Sequence, residues 1–95
     1  MARDIVFDQS GNNFNIHLSR AAVQELQSAP SDFNRGLAAA AEQFPDIEKV
    51  IGTIEWGLRG AASGIISTSN GDQTGRVRVA GTLPKGQITA WSSDD

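Results

Sequence analysis

Alternating apolar and polar residues near the N-terminus of the chain predict a β-hairpin. Residues 5–7 form a short apolar segment, and in residues 14–18 every second side chain is apolar, so one face of that segment is suited to burial. Residues 8–13 lie between them and contain Ser10-Gly11-Asn12-Asn13, residue types that tolerate the positive φ of tight turns. We therefore expect two antiparallel strands, at residues 5–7 and 14–18.

A helical pattern follows the hairpin. Ser19 is a residue type that caps helices, and in residues 20–27 apolar side chains recur every three or four positions. The helix is expected to end at Ala29, because the residue before a proline, here Pro30, is pushed away from helical backbone angles.

A second helix is predicted over residues 33–43. Ser31 or Asp32 is the expected cap, and Pro45 is expected to stop the helix. The alanines at residues 38–41 have high helix propensity and little bulk, so this helix is suited to lie close against a sheet.

Residues 50–59 fit two patterns. Strict alternation predicts a strand, whereas a spacing of three and four residues predicts an amphipathic helix; the helical stripe consists of Ile47, Val50, Ile51, Ile54 and Leu58. Gly52 and Gly57 would each cost a helix interior about 1 kcal/mol relative to alanine, and Val, Ile, Thr and Trp favour strands. We therefore favour a strand at 50–59, preceded by a short helical turn at 46–49.

The remaining residues resemble a β-meander. The predicted strands are residues 65–69, 76–83 and 87–91, separated by turns or loops at 60–64, 70–75 and 84–86. The order β-β-α-α-β-β-β-β predicts an α+β fold with a single antiparallel sheet, covered on one face by the helices. We expect one domain, spanning residues 1–95.

Composition narrows the function classes. The net charge is −3 and the eight Lys and Arg residues are scattered, whereas nucleic-acid binders usually carry a basic stripe. There is no cysteine and one histidine, so no metal site is expected, and no motif indicates a cofactor. No signal peptide or apolar membrane span is visible, and we expect a bacterial, cytoplasmic protein.

Four residues stand out as candidates for protein binding. Arg76, Arg78 and Lys85 lie on or beside one predicted hairpin, and Trp91 lies on the last strand. Tryptophan and arginine are enriched at the centres of protein interfaces. Alternation predicts that Trp91 points outward together with Gln87 and Thr89. Trp56, the other tryptophan, is expected in the core.

An enzymatic alternative centres on His17, the only histidine. A small ribonuclease-like toxin domain would use His17, Glu55 and the pair Arg76 and Arg78. A polar side chain on a solvated strand face is the commoner situation for such a histidine, so we assign no catalytic residue.

The segments "FPDIEKV", "TIEWGLRGAASGIIS" and "RVRVAGTL" together resemble the small trypsin-co-occurring domains of bacteria, over residues 46–83. The likeness lies in Ile54-Glu55-Trp56-Gly57 and in the small-residue turn that follows. It implies a non-catalytic accessory module that acts beside a peptidase, toxin or effector, and it transfers no functional residue.

These observations favour a non-enzymatic protein-binding module, which would act as an adaptor, an immunity-type inhibitor or a regulator in bacterial or phage conflict. Two alternatives stay open: the ribonuclease-like toxin domain, and a structural subunit that self-associates as a homodimer through an unpaired strand edge.

Overall fold

The computed structural model of the chain describes residues 4–94 and contains four strands and four helices. The strands are β1 (Ile5–Ser10), β2 (Asn13–Leu18), β3 (Val77–Thr82) and β4 (Gln87–Ser93). The helices are α1 (Arg20–Ser28), α2 (Pro30–Ala41), α3 (Pro45–Glu48) and α4 (Ile51–Asn70).

The strands form one antiparallel sheet in the order β1-β2-β3-β4, so β1 and β4 are its edges. All four helices lie in the connection between β2 and β3, which are neighbours in the sheet. The predicted α+β class is confirmed, as are the N-terminal hairpin and the strands predicted at 76–83 and 87–91.

The helices cover one face of the sheet. The side chains that alternate toward them are buried: Ile5, Phe7, Phe14, Ile16, Leu18, Val77 and Val79. Helices α1 to α4 complete the core with residues that include Val23, Phe33, Leu37, Ile47, Ile54, Leu58 and Ile65. The opposite face, which we call the open face, carries the alternate side chains of the strands, such as His17 and Arg78.

The start of α1 is as predicted. The backbone is extended at Ser19, whose Oγ accepts a hydrogen bond from the amide of Ala22 at 3.1 Å and donates one to Asp4 Oδ1 at 2.8 Å. The start of α2 differs from the prediction, because the helix begins at Pro30 rather than at residue 33. Proline suits the first helical turn, where its missing N–H would have had no helical partner.

The strands predicted at residues 50–59 and 65–69, and the turn between them, are wrong. Residues 51–70 form the single helix α4, and the helical pattern set out as the alternative is the correct one from Ile51 onward. The short helical turn at 46–49 is confirmed as α3. Burying Ile54, Leu58 and Ile65 at 0% exposure outweighs the propensity cost of the glycines.

Within residues 4–94, none of the helices combines the length and the apolar character that crossing a membrane requires.

Candidate protein-binding site

Trp56 is the most exposed large apolar side chain in the described part of the chain, with 74% of its surface accessible. The prediction that it lies in the core is therefore wrong. The reason is the change from strand to helix: the buried side of α4 carries Ile54 and Leu58, and the two-residue step from Ile54 turns Trp56 by about 200° around the helix, away from the core.

Trp91 is 40% exposed, but on the opposite side of the sheet from the one predicted. A bulge between β3 and β4 pairs Ala80 with Ala90 and Gly81 with Ile88, which leaves Thr89 as an extra residue. Beyond the bulge Trp91 pairs with the buried Val79. Residues directly opposite each other share a face, so Trp91 lies on the helix side, as Ile88 does.

The two tryptophans bound a cleft of about 470 Å³ between α4 and β4, which we call the tryptophan cleft. Its lining is mostly apolar or small, and consists of Thr53, Trp56, Gly57, Gly60, Ala61, Lys85, Gly86, Gln87, Ile88 and Trp91. An open, largely apolar cleft with tryptophans at its border is typical of a surface that binds another macromolecule.

Glycines on α4 allow β4 to lie close to the helix. A Cβ at Gly57 would stand 2.8 Å from Ile88 Cγ1, and one at Gly64 would overlap with the indole ring of Trp91. Gly60 lies between these two contacts, and a Cβ there would meet no atom outside its own helix within 4 Å. The floor of the cleft is therefore open at Gly60.

Strand β4 is an exposed edge. Its seven residues, Gln87–Ser93, include no charged residue and no proline, and only Ile88 among them is partly buried. Proteins commonly protect an edge strand with charges, proline or a β-bulge, which prevent pairing with other chains. The bulge at Thr89 is the one such device in β4. Lys85, in the turn before β4, places a positive charge beside the tryptophan cleft.

The four predicted binding residues are divided between the two sides of the sheet. Lys85 and Trp91 both line the tryptophan cleft. Arg78 lies on the open face, in register with His17 on β2 and Ser92 on β4. Arg76, just before β3, is exposed and accepts a hydrogen bond from the amide of Asp94 at its carbonyl oxygen. The four residues therefore do not form a single surface.

His17 is held between two carboxylates on the open face. Its Nε2 lies 2.6 Å from Asp8 Oδ2 and its Nδ1 lies 2.8 Å from Asp94 Oδ2. Partial burial alone would lower the pKa of His17, but the hydrogen bonds and charges of Asp8 and Asp94 outweigh it, so the pKa is raised. The hydrogen bond from His17 lowers the pKa of Asp8, and the charge of Arg78 adds to this.

This cluster ties Asp94 to the sheet and leaves His17 without a free ring nitrogen for general base catalysis. Glu55 belongs to α4, on the other side of the sheet, so the set of residues proposed for a ribonuclease is not brought together. Among residues 4–94, no group of three His, Asp or Glu side chains is arranged to hold a metal ion.

A second groove, of about 620 Å³, lies beside the other edge of the sheet, between β1 and the helices α1 and α2. Its aromatic and aliphatic floor includes Ile5 and Phe7, which are 9% and 4% exposed, and its border includes Asp4 and Glu25. This groove offers no exposed aromatic anchor, so the tryptophan cleft is the stronger candidate for binding.

No protein-family model matches the chain, and neither the curated proteins nor the solved structures contain a significant match to it.

Proposed function

We propose that this chain is a non-enzymatic protein-binding module whose partner docks on the tryptophan cleft and the adjoining edge of β4. The observation that carries the proposal is the 74% exposure of Trp56 beside the 40% exposed Trp91. Tryptophan is among the residues that contribute most to binding at protein interfaces, and leaving an indole in water is unfavourable.

The cleft supports protein binding more than small-molecule binding. It runs along a strand edge whose free backbone groups can pair with another strand. Its polar groups are few, with Lys85 as its one charged side chain. A pocket that selects a small molecule usually holds several converging polar groups.

Adaptor, inhibitor and conflict-regulator roles all remain proposals under this function. The resemblance to trypsin-co-occurring domains also stays a prediction. Its residues Ile54 to Gly57 belong to helix α4, whereas a strand was predicted there. The proposed binding site does not depend on that family.

Photo-crosslinking tests the proposal directly. A photoreactive phenylalanine analogue is placed at Thr53, which lines the tryptophan cleft, and in a control at Val6, which is 37% exposed on the open face. On irradiation in cells of the source organism, we expect a discrete protein adduct from position 53 and none from position 6. The adduct should disappear when Trp56→Ala is added. Absence of any adduct from the cleft would remove the proposal.

A further inference from the structure

The tryptophan cleft and the edge of β4 together form a surface that is complementary to itself. We infer that its occupant is a second copy of this chain, bound in a twofold dimer in which the two β4 strands pair antiparallel. This inference rests on the proposed function and names the partner of the same site.

Charge is the first argument for a second copy. Lys85 lies two residues before the start of β4 and Asp94 directly follows its end, while the strand itself is uncharged. In an antiparallel pair the start of one strand lies beside the end of the other. The midpoint between positions 85 and 94 falls at the centre of β4, next to Ala90. Pairing about that centre brings each Lys85 toward the partner copy's Asp94, whose carboxylate already contacts His17 within its own copy. The twofold symmetry repeats this attraction, so the dimer contains it twice.

The relation between α4 and β4 is the second argument. Ile88 lies against Gly57 and Trp91 against Gly64, so helix and strand run in the same direction with their midpoints, Gly60 and Ala90, close together. A twofold axis that lies beside the centre of β4 and is perpendicular to the sheet therefore also passes near Gly60. Two α4 helices meeting there would approach at a glycine with open space around it.

Trp56 is the third argument. It lies one turn before Gly60 on α4. When two antiparallel helices cross at Gly60, Trp56 of one copy lies beside residues 63 and 64 of the other, which are serine and glycine. A large exposed indole thus faces the small side chain of Ser63 and the indole of Trp91, which covers Gly64. The dimer would bury both tryptophans of both copies.

The bulge at Thr89 limits where the strands pair. Residues Ala90–Trp91–Ser92–Ser93 alternate regularly beyond it, with Trp91 on the helix side. A ladder centred at Trp91 pairs residue 90 with residue 92 and keeps to this regular part, whereas one centred at Ala90 also includes Thr89. The two copies of residue 90 then lie about 5 to 8 Å apart, as opposite or diagonal neighbours.

Sedimentation equilibrium over a wide concentration range tests the dimer. We expect a reversible monomer–dimer equilibrium. Trp56→Ala is expected to weaken it by at least about thirtyfold, as for a tryptophan at the centre of an interface. Lys85→Glu is expected to weaken it about tenfold, because two attractive pairs become repulsive. Arg35→Glu is the charge control: Arg35 is 83% exposed on α2, and the equilibrium should not change.

The absence of cysteine makes a geometric test simple. Ala90→Cys creates a single thiol, and a short bismaleimide should link two copies through it at concentrations where the dimer forms. Val6→Cys, on the open face at the opposite edge, should give no such product. Three results would each overturn the inference. They are a monomer at all concentrations, a dimer unaffected by Trp56→Ala, and cross-linking at position 6 instead of position 90.

These results separate the two proposals. If the chain is monomeric and the photoreactive group at Thr53 captures a different protein, self-pairing is wrong and the protein-binding function stands. If the chain is monomeric and position 53 captures nothing, both are wrong. If the product captured from position 53 is a second copy of the chain, both are supported.

Discussion

The indole ring of Trp91 lies so close to the backbone of Gly64 that a Cβ at that glycine would overlap with it. This contact fixes Trp91 on the helix side of the sheet and joins the edge strand β4 to the long helix α4. It also explains why a helix contains glycine at a position where alanine would have higher propensity. The tryptophan cleft depends on this close approach.

Gly64→Ala should therefore destabilise the protein by about 1 to 2 kcal/mol, because the overlap costs more than the gain in helix propensity. Gly60→Ala is the matched control on the same helix. Its Cβ would meet open space, and it should stabilise the fold by about 0.5 to 1 kcal/mol. Urea denaturation, at protein concentrations too low for a dimer to form, measures both changes in stability. Equal changes in the free energy of unfolding for the two substitutions would contradict the close contact between Trp91 and Gly64.

Trp56→Ala should leave the stability of the monomer within about 0.5 kcal/mol of wild type, because the side chain is 74% exposed and contributes little to the core. Leu58→Ala, two residues away and fully buried, should cost about 2 to 5 kcal/mol. Thermal unfolding of dilute samples checks the contrast. A large loss of stability for Trp56→Ala would mean that this side chain is structural.

The pKa of His17 should be above its ordinary value of about 6.5. Its stabilising effect is then fully present below about pH 6.5 and is lost as the pH rises through the raised, folded-state pKa. The lowered pKa of Asp8 has the opposite sign: its contribution is present above about pH 3.9 and is lost as the pH falls through the folded-state value. The cluster thus contributes most in mildly acidic solution.

Both side chains are partly exposed, 32% for His17 and 54% for Asp8, so solvent screening should keep the total effect below about 1 kcal/mol. NMR titration of the imidazole gives the pKa, and urea denaturation from pH 5 to 8 gives the stability. In the His17→Asn variant, the decline in the free energy of unfolding between pH 6 and 8 should disappear. An unshifted or lowered pKa for His17 would contradict the two carboxylate contacts.

Ser19→Ala should destabilise the protein by about 1 kcal/mol. The substitution removes the side-chain cap of the Ala22 amide at the start of α1, and with it the hydrogen bond to Asp4. Ser28→Ala is the control, because the Ser28 hydroxyl only donates to a carbonyl within its own helix and is exposed. Denaturant midpoints of the two variants should differ clearly; similar midpoints would mean that the cap contributes nothing.

The first half of the fold follows from the sequence because each segment there has a single strong pattern. Strands β1 and β2 alternate with one buried face, and α1 begins at a capping serine and stops before Pro30. Such local signals leave few alternatives. The hairpin and the helix were both predicted within a few residues of their observed bounds.

The prediction for residues 50–70 was wrong because it used only local preferences. These were the low helix propensity of glycine and the strand preference of Val, Ile, Thr and Trp. Gly57 and Gly64 do disfavour an isolated helix, but here they remove the Cβ atoms that would keep Ile88 and Trp91 away. That benefit comes from a strand more than 20 positions later in the chain, and no local window contains it. Once the helix is recognised, Trp56 falls outside the apolar stripe, so its exposure follows from the sequence.

The candidate site was predicted in part. Lys85 and Trp91 do lie together at the tryptophan cleft, whereas Arg78 lies on the open face. The separation arises from the bulge at Thr89, which reverses the side to which Trp91 points. Alternation counted along the sequence cannot reveal an inserted residue, because the bulge is defined only by the pairing of two strands.

The central claim is that the edge of β4 and the tryptophan cleft are the binding surface of the protein. Hydrogen exchange at the backbone amides of β4 tests this claim most directly. With increasing protein concentration, the amides of Gln87–Ser93 that do not bond to β3 should become protected, and the Trp56→Ala variant should not show this protection. The account would be contradicted if hydrogen exchange at β4 stayed fast at every protein concentration and also in the presence of any protein captured from position 53.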